Sequence, residues 1–233
     1  MTGERGGSAA PGVPPRQIKA SLAEEFSRLG KALSSGKRIE LLDLLCQAER
    51  SVETLAGLTG MGVTNTSQHL QILRAARLVE VRKEGTRSLY GVSDPAVCTF
   101  LYKMQRLART RLGEADRIAR EYFDRRDELE PVGREDLLDR VRRKDAVVID
   151  VRPAEEYEAG HVAGAISIPL DELQGRLAEV PRDTEVVAYC RGPFCVLAPQ
   201  ALDILREAGV LARRLDGGLP EWRAAGHPIE VGR

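Results

Sequence analysis

The sequence predicts two domains, a mainly helical one that ends in a β-hairpin and then an α/β domain with a parallel sheet. Three observations carry this. Helical periodicity dominates the first half, broken by one short alternating stretch. From about Pro131 onward, apolar strand-like runs alternate with helical ones, the signature of a sheet flanked by helices. The charge divides at the same place. Residues 1–129 hold 21 Lys+Arg against 16 Asp+Glu, a net of +5, while residues 130–233 hold 14 against 19, a net of −5. A basic first half fits a polyanionic partner.

The expected division is a disordered tail over 1–20, a first domain over 21–93, a linking helix over 94–129 and a second domain over 130–233. The tail, MTGERGGSAAPGVPPRQ, is rich in Gly, Pro and small residues and lacks the apolar core of a signal peptide. No apolar run approaches the roughly 18 residues a membrane span needs, so a cytoplasmic setting is expected. Four cysteines in 233 residues make no disulfide scaffold. No Cys/His cluster has zinc spacing, so no metal set is expected.

Ser21 with Glu24 reads as a capping box, and Phe26, Leu29 and Leu33 follow at helical spacing. Gly36 breaks the pattern. Ile39, Leu41, Leu42, Leu44 and Leu45 mark a second, mostly buried helix. Ser51 can cap a third, SVETLAGL, with Glu53 in its first turn. After the turn TGMG comes VTNTSQHLQILRAARL. Its pattern buries Val63, Leu70 and Leu73 and leaves Thr64, Asn65, Ser67, Gln68, His69 and Gln71 for a ligand. A short helix, a Gly turn and a second helix with a polar face make a helix-turn-helix. Asn and Gln can bond adenine edges, and Ser and Thr serve bases or phosphates. LVEVRKEGTRSLYGVS reads as a hairpin turning at Gly85, with Arg82, Lys83 and Arg87 near its tip. A basic hairpin directly after such a helix is a wing placed to touch phosphates.

From about Phe26 to Val92 the chain resembles the ArsR family of winged-helix repressors. The resemblance is carried by SVETLAGLTGMGVTNTSQHLQILRAARLVEVRKEG and by the strand with Ser88-Leu89-Tyr90. It implies that the helix from Thr64 enters the major groove of double-stranded DNA. Arg77 stands where the family often has glycine. After Asp94-Pro95, apolar residues from Val97 to Tyr122 recur every three or four positions to about Glu128, one long helix. In the family such a helix pairs with the first one to make a homodimer. The arsenic- and zinc-sensing members carry cysteine pairs on the helix here written SVETLAGL, and this chain has none there. Persulfide-sensing members use one cysteine on each of two helices. Cys46 sits about where the first would be, and Cys98 more than two turns too early for the second. Both therefore read as packing residues, with a Cys46–Cys98 redox pair as the alternative.

In the second half, AVVIDVR and EVVAYC read as buried parallel strands. In such sheets the reactive site lies at the carboxyl ends of the strands. Cys190 stands there, just before a loop and a helix. Loop amides and a helix N-terminus favour a thiolate, and Arg191 adds positive charge. IDVRPAEEYEAGHVAGAISIP, the loop YCRGPFC and LDGGLPEWRAAGHPIE resemble the rhodanese family over about Arg134 to Glu230. That resemblance implies sulfane sulfur transfer through a Cys190 persulfide, with thiosulfate, polysulfide or a small persulfide as donor and no cofactor. The amides of Arg191, Gly192, Pro193, Phe194, Cys195 and Val196 would hold the donor. Asp150 and Arg152 match the family's Asp-x-Arg strand end and are expected to support the loop. Cys195 departs from the polar or basic residue usual there. It reads as either a resolving thiol for the persulfide or a small buried residue.

Joined, the halves suggest a regulator, a repressor in the sense of the family it resembles, that couples DNA binding to sulfur or thiol-redox chemistry. A sulfurtransferase merely dimerised or tethered by its winged helix is the alternative. A DNA-binding arsenate reductase is disfavoured by the short loop.

Overall fold

A computed structural model describes residues 15–85, 87–124, 129–143 and 145–232. The winged helix comes first: α1 (Pro15–Leu33), α2 (Gly36–Leu45), β1 (Arg50–Ser51), α3 (Val52–Thr59), α4 (Val63–Ala75), β2 (Val79–Glu84) and β3 (Arg87–Val92). Its core gathers Leu41, Leu42, Leu55, Leu70, Leu73 and Tyr90. Ser51 caps α3 by accepting from Thr54 N. Strands β2 and β3 pair antiparallel with Glu84 opposite Arg87, so the hairpin turns at Gly85; Thr86 lies outside the described residues. A strand that the sequence pattern did not mark, β1, pairs Arg50 with Tyr90 and Ser51 with Leu89 of the wing.

Several expectations change here. Residues 1–14 of the expected tail lie outside the described residues, but α1 already starts at Pro15, so Ser21 is helix interior rather than a cap. Pro at the first helical position is compatible with that start. Val63 is exposed rather than buried, and so are Ile18, Leu22, Phe26 and Leu29, which form an apolar stripe along α1. The long helix is broken. It runs as α5 (Pro95–Arg111) and α6 (Gly113–Ala119), then a π-helical turn over Arg120–Asp124. Leu112 between them is extended (φ −109°, ψ 105°). The physical reason is division of labour. α5 buries Leu101 and Tyr102 on the winged-helix side, whereas Phe123 beyond the break stacks edge-on against Phe194 of the second domain. One straight helix cannot serve both.

The second domain contains α7 (Arg134–Arg143), β4 (Ala146–Asp150), α8 (Ala154–Ala159), β5 (His161–Val162), β6 (Ile166–Ser167), α9 (Leu170–Leu173), a 3-10 turn, β7 (Glu185–Tyr189), α10 (Leu197–Glu207), β8 (Ala212–Arg214), α11 (Leu219–Ala224) and β9 (Ile229–Glu230). Four strands form a parallel sheet in the order β6-β4-β7-β8. Alternation sends Val148 and Val187 to one face, with Leu137, Leu219 and Trp222. It sends Ile149 and Ala188 to the other, with Leu173, Ala201 and Leu205. His161 is buried and stacks on Tyr157 at 3.6 Å, and Trp222 donates to Pro228 O, so both are structural.

Arg77 has φ +55°, the left-handed turn between α4 and β2. A side chain there costs about 1 kcal/mol relative to glycine. Arg77→Gly should therefore raise the midpoint of urea unfolding monitored by helical circular dichroism, with a gain of about 0.5–1 kcal/mol. A lower midpoint would mean that the Arg77 side chain contributes more than its backbone costs.

Candidate functional site

The carboxyl end of the parallel sheet faces the winged helix, and the sequence loop Arg191–Val196 lies between them. β7 delivers Cys190 into this loop. Cys195 N donates to Gly192 O (3.1 Å), which curls the loop back on itself. Gly218, at the start of α11, backs it closely. A Cβ there would lie 2.4 Å from Gly192 N and 2.6 Å from Cys190 O, so only glycine permits the approach.

Arg191 does not point at a free anion site. Its guanidinium donates to both oxygens of Glu156 (2.7 and 3.1 Å). Glu156 is completely buried on α8 and also receives Arg50 of β1. Loop, rhodanese-like body and wing sheet thus meet on one carboxylate. A second connection runs beside it. Arg152 is fully buried, holds Asp150 through two nitrogens, donates to Gly160 O (2.8 Å) and reaches Gln47 Oε1 (3.3 Å) of the first domain. Gln47 in turn donates to Tyr102 on α5. Asp150 also accepts from Tyr189, so Asp150 and Arg152 brace the strand ends and the domain junction, and neither touches Cys190 among the described contacts.

Between loop and winged helix lies a cavity of about 190 Å³. Ile39, Glu40 and Asp43 of α2 and Tyr102 and Gln105 of α5 make one wall. Arg191, Gly192, Pro193, Phe194 and Cys195 make the other. Cys190 is not part of this lining and is 2% exposed. Burial pushes the Cys190 thiol well up, against the help of the Gly192 and Ala198 amides. Cys195 goes down, because Cys190 hydrogen-bonds to it and the Arg191 charge and the Leu197 amide face it. Burial thus works against an ionised sulfur at Cys190, while the surroundings of Cys195 favour one. Asp43 is raised to about 6, first by burial and then by Glu156 and Glu40, with Arg191 opposing. Sequence reasoning found the loop but not this opposite wall, because nothing in α2 or α5 as strings says which domain they will face.

Cys46 and Cys98 are disulfide-bonded, with Cα atoms 5.6 Å apart. The expectation that Cys98 stands too early for a partner is overturned, since the start of α5 packs beside the end of α2. Closing a span of 52 residues stabilises by about 4 kcal/mol on the loop-entropy model.

The candidate nucleic-acid face lies on α4 and the wing. Thr64, Asn65, Gln68 and Gln71 are exposed, while Ser67 and His69 are half-buried. His69 is thus a correction to the outward set, its Nδ1 being buried without a hydrogen-bond partner among the described residues. Gln71 donates weakly to Tyr90 (3.4 Å). Arg82 is exposed but bridges Glu49 (2.7 Å) and Glu84 (3.2 Å), leaving Lys83 and Arg87 as the more available cations. Among the described residues no group of three or more His, Cys, Asp or Glu side chains could hold a metal ion, and no helix is long and apolar enough to cross a membrane.

Residues 35–81 match the bacterial regulatory protein, arsR family, and residues 133–225 match the rhodanese-like domain. An HTH-type transcriptional regulator of Mycobacterium tuberculosis is 44% identical over 214 residues, covering 92% of this chain and 94% of that protein. A sulfurtransferase of Allochromatium vinosum is 31% identical over 87 residues, covering 37% of this chain and 79% of its own length. A solution structure of a homodimeric winged helix-turn-helix DNA-binding domain from Mycobacterium bovis is 42% identical, with a TM-score of 0.41, covering 44% of this chain and 94% of that one.

Charge in the cavity is testable with two alkylating agents of similar size. As Asp43 ionises near pH 6 beside Glu40 and Glu156, anionic iodoacetate should lose ground to neutral iodoacetamide at the cavity thiol. Asp43→Asn should abolish this pH-dependent change in the ratio, worth about threefold to tenfold for one nearby charge at partial screening. An unchanged profile in the variant would assign the effect to another group.

Proposed function

The chain belongs to the ArsR family of bacterial regulatory proteins and carries a C-terminal rhodanese-like domain, and from that premise we propose that it is a cytoplasmic, DNA-binding transcriptional repressor whose hold on DNA answers to sulfane-sulfur chemistry at the Cys190–Cys195 loop. A loop thiolate attacks the outer sulfur of a donor such as thiosulfate. The S–S bond of the donor breaks, sulfite leaves with the bonding pair, and a protein persulfide remains. No cofactor enters the step.

The observation that carries the coupling is the buried Arg191–Glu156–Arg50 chain. It joins the reactive loop to β1, which is paired with the wing strand β3 and leads directly into α3. A loop reshaped by a bound sulfur withdraws Arg191 from Glu156 and thereby disturbs Arg50. Coupling of one to three kcal/mol is sufficient for a fivefold to 150-fold change in affinity, to order of magnitude. The Cys46–Cys98 bond is a second redox element, since it ties together α2 and α5, which wall the cavity.

Two protomers are required to read two half-sites. The exposed stripe Ile18, Leu22, Phe26 and Leu29 on α1 is suited to burial against a second copy. In DNA contact, α4 presents Asn65 and Gln68 to the major groove, and Lys83 and Arg87 lie on the backbone.

For DNA selected from a random pool, polysulfide treatment of the wild type should lower affinity at least about tenfold, or roughly 1.4 kcal/mol. Cys190→Ser/Cys195→Ser should bind and not respond. Glu156→Gln, confirmed folded, should take up sulfur yet respond much less. If sulfur is loaded and affinity is the same in every case, the tethered-sulfurtransferase reading replaces this one. Separately, Gln68→Ala should relax base preference by about 1–3 kcal/mol at one position. Arg87→Ala should weaken all sequences alike and reduce the salt slope by about 0.9. Identical losses from both would remove the assignment of α4 and wing.

A further inference from the structure

We propose that the winged helix selects the sulfur donor: Asp43 on α2 turns the thiosulfate dianion away from the loop's cavity and leaves it to compact sulfane sulfur of at most one negative charge, such as inorganic hydrogen disulfide. This rests on the sulfur-transfer reading above and names the donor class within it.

The cavity is where a donor meets the loop. α11 backs the loop at Gly218, and Phe123 of the linker packs against Phe194. Among the described residues, the face left to a donor is the one that Arg191 to Cys195 turn toward α2 and α5. Size limits what enters. At about 190 Å³ the space is smaller than the 300 Å³ or more usual for organic ligands. It takes an inorganic donor of a few atoms rather than a persulfide the size of a tripeptide.

Thiosulfate and hydrogen disulfide are both small enough, and charge separates them. The cations near the loop are already matched. Arg50 and Arg191 share Glu156, so the three together carry one surplus positive charge. Asp43, half-buried in the opposite wall, offsets that surplus, and Arg191 is the charge that favours its ionised form. Glu40 beside it is held by Lys37 (2.9 Å), and Glu221 behind the loop has Arg134 as its nearby cation. A donor therefore brings its charge into a space with no positive charge to spare. Repulsion from Asp43 is proportional to that charge, so a dianion feels it twice as strongly as a monoanion. In the favoured step, written for the acid HS–SH, the Cys190 sulfur, once ionised, bonds to one donor sulfur. The S–S bond breaks, hydrosulfide leaves with the bonding pair, and Cys190 carries the S–SH group. No outside oxidant or reductant is consumed.

The test loads the full chain with sodium thiosulfate or with sodium disulfide and follows the rate at which the Cys190 peptide gains sulfur. Comparing the ratio of the two rates between wild type and variant cancels the donors' intrinsic reactivities. Asp43→Asn should speed thiosulfate about tenfold and hydrogen disulfide about threefold, so the ratio shifts about threefold toward thiosulfate. Asp43→Glu should keep the wild-type ratio. A second measurement needs no variant to fold. Raising salt on the wild type from about 0.01 M to about 0.15 M shortens the Debye length from roughly 30 to 8 Å, and should speed thiosulfate more than hydrogen disulfide. An unchanged ratio in Asp43→Asn, an equal shift in Asp43→Glu, or a thiosulfate rate that falls as salt rises would overturn the selection. No gain of sulfur at Cys190 from either donor would instead remove the sulfur-transfer reading itself.

Discussion

A single carboxylate, Glu156, is the constraint on which the junction of the two domains depends. It has no exposed surface and carries two guanidiniums, Arg50 from the winged helix and Arg191 from the loop that follows Cys190. A buried carboxylate with no partner is so costly that removing one member of such a pair typically destabilises by about 3–5 kcal/mol. The placement of Glu156 therefore dictates where both arginines must go. Burial works against Arg50, and the Glu156 charge opposes it. The parallel chain Asp150–Arg152–Gln47–Tyr102 has the same character. The two domains are held at these points by directional polar contacts instead of a continuous apolar seam. Directional contacts have defined alternatives, whereas an apolar seam slides by degrees.

That difference decides what the junction can transmit. β1 is only two residues long, yet it pairs with the wing and ends in the Ser51 cap of α3. Arg50 thus sits where the wing sheet and the start of α3 meet. From the other side, the linker beyond α5 places Phe123 against Phe194 of the loop. The loop is thus gripped by β1 through charge and by the linker through aromatic contact, and α11 closes its back at Gly218. A change of a single sulfur atom in so confined a loop has few places to be absorbed locally.

Much of this was legible in the sequence, and the boundary is instructive. The wing, the polar face of α4 and the strand-Cys-loop follow from periodicity and turn chemistry, which are local. Arg77 in a left-handed turn was legible as a departure from glycine, and its φ of +55° follows. What escaped was non-local. Glu156 in EEYEAGHV looks like any solvated helical acid, and Asp43 like any acid on a leucine-rich helix, until a second domain covers them. The break at Leu112 was hidden because apolar spacing runs through it unbroken, although its two halves serve different partners. Cys98 was judged more than two turns too early because its place was reckoned from the family's position on the second helix, whereas it is the start of α5 that packs beside the end of α2.

Loop electrostatics then follow from competition for Arg191. An arginine beside a loop thiol would ordinarily be the natural counterion for an anion there. Here Glu156 already holds it, so Arg191 favours negative sulfur at Cys195 only through its charge, and the backbone amides at Gly192, Leu197 and Ala198 add to that. Amides can polarise but bring no net charge, and Asp43 across the cavity adds a negative one above pH 6. In the proposed coupling, a second negative charge arriving at the loop competes with Glu156 for Arg191. Glu156 must then rely on Arg50 alone, and Arg50 belongs to the wing sheet. On the proposed function, it is this sharing of Glu156 between Arg191 and Arg50 that would carry anion binding at the loop into the winged helix.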